Sequence, residues 1–268
     1  MGNPLFNLTE QQQRAALAGL DTAKKSRPAL AVAAAANRSR GSPGKCDHLK
    51  DQLENTQVEV DTVAANLGRH GWHYKLYTRE RALEGVIKRV KGPRLLFVGT
   101  HGCFESDQER KEREPGNDRA PSPEDPMLRS ALYFAGANRA LAGEPVAADL
   151  DDGILTAYEA TQLNLQGTEL VVLSACETAL GEVKYGEGVF GLRRALQEAG
   201  AEAVMMTMWS VPDKETRELI TLFYRKWLAG EDKHQALREA QLEMRKCVTA
   251  REGIDLPKLW GAFVLVGR

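Results

Sequence analysis

Apolar residues along this chain recur with two periods. Val60, Val63, Ala64 and Leu67 share one helical face, and Gly68 stands where such a helix should stop. Leu83, Val86, Ile87 and Val90 repeat the stripe, with Thr78 as a cap and Pro93 as a break. Val189, Leu192, Leu196 and Ala199 form a third stripe, closed by Gly200. Two more helices are predicted over 214–228 and 234–247. Between them lie short continuous apolar runs, Leu95–Val98, Leu170–Leu173, Ala203–Met208 and Phe263–Val266. Runs of this length, without alternation, fit strands buried on both faces, as in a parallel sheet. Strands alternating with helices predict an α/β sandwich: a mainly parallel central sheet with helices on both faces.

The remaining segments read differently. Residues 1–52 are read as a leader or linker, partly disordered or the remnant of an upstream region, with one weak helix after Thr9. The regular domain spans 53–268. Residues 105–126 are dense in charge and contain Pro115, Pro121, Pro123 and Pro126, which predicts a solvated loop. A second turn-rich stretch over 136–152 precedes a short helix at Leu155–Ala160.

Composition narrows the function classes. The net charge of −1 gives no reason to expect nucleic acid or an acidic membrane surface as a partner. No apolar run reaches the roughly 18 residues of a membrane span, and no signal pattern opens the chain. Cysteines at 46, 103, 176 and 247 show neither CxxC pairing nor regular spacing, which argues against a zinc site or a disulfide framework. A reducing cytoplasm is the expected location. Gly186-Glu-Gly188 lacks the spacing of a phosphate-binding loop, and Cys46 with His48 supplies too few ligands for a metal. Neither cofactor nor metal is expected.

Chemistry is expected beyond the carboxyl ends of the strands, where open α/β sheets bind ligands. Two predicted strands end there in reactive residues: Thr100-His101-Gly102 after one and Ser174-Ala175-Cys176 after the other. An imidazole beside a thiol of pKa about 8.5 raises its thiolate fraction or takes its proton during attack. The amides of Gly102 and Cys176 are candidates for an oxyanion hole. Spacing alone leaves the simpler reading open, in which Cys176 is a small buried hydrophobe and His101-Gly102 a turn.

Longer stretches carry a resemblance. Phe97-Val-Gly-Thr-His-Gly102, Leu173-Ser-Ala-Cys-Glu-Thr-Ala-Leu-Gly-Glu182, Gly186-Glu-Gly-Val-Phe-Gly-Leu-Arg-Arg194, Met208-Trp-Ser-Val-Pro-Asp213 and Trp260–Gly267 resemble the CHAT domain family, caspase-like and separase-like cysteine peptidases. Thr56–Asp61 resembles the helix that opens many such domains. The resemblance implies a caspase-like three-layer sandwich and a cysteine endopeptidase of narrow specificity. In it His101 and Cys176 form the catalytic dyad, Gly102 and Cys176 the oxyanion hole, and Asp213 a pocket acid for a basic P1 side chain. It also implies a bacterial regulatory or defence setting, a protein or peptide substrate, and control by a helical-repeat (TPR-like) partner or sensor. Cys103 departs from the family pattern, either packing under its loop or standing close enough to influence Cys176. The competing readings are a catalytically silent caspase-like interaction module and a nucleotide-binding α/β enzyme. Retention of both dyad residues in their motifs speaks against the first, and the missing phosphate motifs against the second.

Overall fold

The computed structural model describes residues 1–21, 50–51, 54–104, 126–128, 130–174, 187–209 and 211–268. Nine strands are present among them: β1 (Gly2–Pro4), β2 (Thr78–Arg79), β3 (Leu95–Gly99), β4 (Gly102–Phe104), β5 (Ser130–Tyr133), β6 (Ile154–Thr156), β7 (Leu170–Ser174), β8 (Ala203–Thr207) and β9 (Phe263–Gly267). Six form one sheet in the order β2-β1-β3-β7-β8-β9, parallel except for the antiparallel edge strand β9. The other three form an antiparallel sheet, β4-β5-β6.

Helices close both faces of the large sheet. They are α1 (Glu10–Asp21), α2 (Glu54–Arg69), α3 (Glu84–Ile87), α4 (Ala137–Leu141), α5 (Ala157–Ala160), α6 (Glu187–Glu198), α7 (Asp213–Leu228), α8 (Lys233–Glu252) and α9 (Pro257–Trp260). Leu96, Val98, Val171, Leu173, Val204 and Met206 face a core shared with Leu132, Phe134, Leu155, Leu192 and Leu196. Phe97, Leu170, Val172, Ala203 and Met205 face Val60, Val63, Leu67, Leu219, Ile220 and Phe223. Burial on both faces is why these strands read as unbroken apolar runs. No helix among the described residues is long and apolar enough to cross a membrane.

The α2 stripe, the three helices from α6 to α8 and the closing strand lie where the periodicity places them. Other expectations are revised. Thr78 caps no helix: it lies in the edge strand β2, and the Leu83 stripe holds only the single turn α3. Lateral pairing with β1 here overrides the local helical pattern. Leu155 and Thr156 likewise belong to β6, with Thr156 closing a reciprocal capping box with Glu159 at the start of α5.

The first 21 residues are also built into the fold. β1 lies between β2 and β3, and Gly99 N–H donates to Met1 O at 2.8 Å. Thr9 and Gln12 cap α1 reciprocally, through Gln12 N–H to Thr9 Oγ1 at 3.3 Å and Thr9 N–H to Gln12 Oε1 at 2.9 Å. Phe6 and Leu8 are 1% and 2% exposed. The expected leader therefore supplies a sheet strand and core side chains. Gly-Asn-Pro carries no strand signature of its own and is a strand only through its neighbours. The charged loop expected over 105–126 lies, up to 125, outside the described residues, as do Cys46 and His48.

Candidate active site

The register of the large sheet aligns two strand ends. β3 and β7 pair residue for residue from Leu95↔Leu170 to Gly99↔Ser174. His101 therefore stands two residues beyond one member of the last pair, and position 176 two residues beyond the other. Thr100 N–H donates to Ser174 O at 3.1 Å, which continues the pairing to the residue before the histidine. The order β2-β1-β3-β7 reverses direction between β1 and β3, and ligand crevices in α/β sheets open beside such a switch point.

His101 sits at the corner where the chain leaves the large sheet for the small one. Its carbonyl accepts from Tyr133 N–H at 3.0 Å, and Thr100 Oγ1 donates to Tyr133 O. The backbone is thus held from both sheets. The imidazole is 7% exposed, and the Phe6 ring packs against it with centroids 5.2 Å apart at 43°. Its Nε2 lies 2.9 Å from Asp51 O. A carbonyl oxygen only accepts, so Nε2 carries the proton, and in the neutral ring Nδ1 is left with its lone pair. Lys50, the residue before Asp51, is held in turn by Asn138. Lys50 N–H donates to Asn138 Oδ1 at 2.7 Å, and Asn138 Nδ2 donates to Lys50 O at 3.0 Å and to Asn7 Oδ1 at 2.8 Å.

Gly102 opens β4 opposite Leu132. Because Tyr133 N–H bonds His101 O, the adjacent Gly102–Leu132 pair is the non-hydrogen-bonded kind in the antiparallel ladder. The Gly102 N–H therefore points away from β5. Cys103, next along, is 5% exposed among Phe6, Ala131, Tyr133, Ala137 and Ile154, and it is disulfide-bonded. Spacing gave no sign of that bond.

Cys176 lies outside the described residues, so the structure brings together only the histidine half of the expected dyad. Asp213 opens α7, with its side chain outside the described set. Sequence reasoning missed Asp51, Asn138 and Phe6. Asp51 acts through its main-chain carbonyl, which no residue type announces. Phe6 was legible as an apolar residue, and only the assumption of a leader hid it.

A family described as CHAT domain matches residues 6–268 of this chain. Two curated relatives are both called Tetratricopeptide repeat protein 28. The mouse protein is 33% identical over 114 residues and the human protein 33% over 118, which is 42% and 44% of this chain. Each match spans only 4% of the relative's own length.

Proposed function

This chain belongs to the CHAT domain family, and on that premise we propose that it is a cysteine endopeptidase working through His101 and Cys176. The observation that supports the reading is the β3/β7 register, whose last pair is Gly99↔Ser174; His101 and Cys176 each follow a member of that pair by two positions in the sequence. In this reading Nδ1 of His101 takes the Cys176 thiol proton as Sγ attacks the scissile carbonyl. The oxyanion is met by the N–H groups of Gly102 and Cys176, the former already turned away from its ladder. Nδ1–H then protonates the leaving amine, the C–N bond breaks, and an acyl-enzyme remains. Water, giving its proton to Nδ1, hydrolyses the thioester and restores the thiol. Asp51 O holds Nε2–H throughout and stabilises the imidazolium that forms, the orienting third group of a nucleophile–base pair.

Asp213 is proposed to receive a basic P1 side chain, a charge-assisted pairing of about 1.5–3 kcal/mol. The relatives' name carries tetratricopeptide repeats, which supports control by a helical-repeat module, on this polypeptide or another. A fluorogenic peptide library varied at P1 tests the reading on wild type, Cys176→Ala and His101→Ala. Turnover confined to wild type, with Arg or Lys preferred, is expected. Equal turnover by Cys176→Ala would sink it. So would a wild type that neither turns over peptide nor is labelled at Cys176 by a peptidyl electrophile, with the helical-repeat partner present; that leaves the interaction module.

A further inference from the structure

A carboxylate sits where the core pattern calls for an apolar residue. Glu59 lies on the inward face of α2, flanked by Val60 and Val63, and is 8% exposed. α2 comes very close to the sheet: a Cβ on Gly99 would lie 2.5 Å from Thr56 Cγ2, so the glycine permits the approach. That approach brings Glu59 Oε2 to 3.0 Å from the Ser174 hydroxyl, which donates to it in a buried setting. Ser174 is the last residue of β7, two before Cys176, and its own carbonyl is held by Thr100 N–H. Taking a carboxylate out of water is costly, and a Leu on this face would avoid the cost. The hydrogen bond to Ser174 gives Glu59 a geometric role that a Leu could not fill.

We propose that Glu59 is a positioning residue for the nucleophile: its carboxylate holds the Ser174 hydroxyl and thereby fixes the direction in which β7 delivers Cys176. Ser174 is the junction of this device. Its carbonyl is tied to the residue before His101 and its hydroxyl to α2, so one residue couples the two strand ends. Behind it stands Tyr224 of α7, fully buried, whose hydroxyl pKa is pushed well up by burial and then by the negative charge of Glu59. The inference rests on the peptidase reading for its function but not for its geometry, and the two fail separately.

The test is a double-mutant cycle on the full chain with Glu59→Ala, Ser174→Ala and the pair, plus Glu59→Gln, whose amide oxygen can still accept from the hydroxyl. Readouts are kcat and KM on the best library peptide, the pH profile of Cys176 alkylation by iodoacetamide resolved by peptide mass, and a thermal melt. Each alanine variant should lose about 10–100-fold in kcat, as misplacement on the order of 1 Å does, with KM little changed. The pair should be no worse than the poorer single variant, and Gln should recover most of the loss. Additive losses, or Gln failing as badly as Ala with a displaced alkylation profile, would overturn the positional role. If wild type turns over no peptide, the peptidase reading fails by itself. Labelling rates at Cys176 then decide the positioning role, and equal rates in wild type and Glu59→Ala discard it.

Discussion

Phe6→Ala asks whether the first residues of the chain belong to the core of the CHAT domain. Phe6 is 1% exposed, so nearly its whole side chain, on the order of 200 Å² for a buried aromatic, is removed from water. At about 25 cal/mol per Å² that burial contributes up to about 5 kcal/mol, an upper bound because unfolded chains are not fully extended. Truncation to alanine keeps the Cβ but leaves a hole between Cys103, Tyr133 and Ile154, and such changes cost about 3–5 kcal/mol. For a chain of this size each kcal/mol lowers the melting midpoint by roughly 2–4 °C, so the drop should be about 6–20 °C. Phe6→Leu, which fills most of the volume, should lose no more than about 1.5 kcal/mol. Calorimetry or a circular-dichroism melt of the full chain reads both. The proposed peptidase activity, measured well below the midpoint, should fall further in Phe6→Ala because the ring that packs against His101 is gone. A shift under about 1–2 °C, the scale of a surface change, would refute the placement of residues 1–8 in the core.

Three further outcomes are expected. Lys88 meets Glu84 at 2.5 Å, Asp151 at 3.0 Å and Glu159 at 3.1 Å; burial opposes its charge, but these carboxylates outweigh it and raise its pKa. Lys88→Met should cost about 3 kcal/mol at neutral pH, the low end for breaking a buried pair because Lys88 is one-third exposed. That cost should shrink on acidification. Burial, then Asp152, raises the Glu84 pKa well above its ordinary value, so the stability gained by protonating it is full below about 4.5 and lost as pH rises through the folded-state value; urea titrations at several pH values check the sign. Asp232 accepts from His234 N–H at 2.9 Å and Gln235 N–H at 3.2 Å at the start of α8, and those bonds hold its pKa down. Asp232→Ala should cost about 1 kcal/mol by chemical denaturation, an effect present above the ordinary carboxylate value and fading as pH falls through the depressed one. Finally, denatured but unreduced protein should resist alkylation at Cys103 while Cys247 reacts, and a reactive Cys103 would refute the bond. Reductant should speed labelling of Cys176 if it is the partner, whereas release of Cys46 alone would separate the bond from the nucleophile.

The sequence by itself determined the layers of the fold. Val171, Val204 and Met205 are fully buried, and a strand covered on both faces has no room for polar alternation, so its composition declares it. The stripe of α2 is legible for the same reason, since a helix buries one face and its period shows which. The same strands pointed to where chemistry should stand, because His101 and Cys176 follow two of them directly. Only the tertiary structure decided what is made by lateral pairing or by main-chain atoms. β1 is three residues with no strand propensity, held between β2 and β3 by their hydrogen bonds. Asp51 reaches His101 through a carbonyl that every residue type shares, and Asn138 holds the neighbouring Lys50 from 88 positions away in sequence. Glu59 reads in sequence as a surface carboxylate. It faces the end of β7 because the helix phase of α2 and the glycine of β3 bring it there, and contacts of that kind have no local signature.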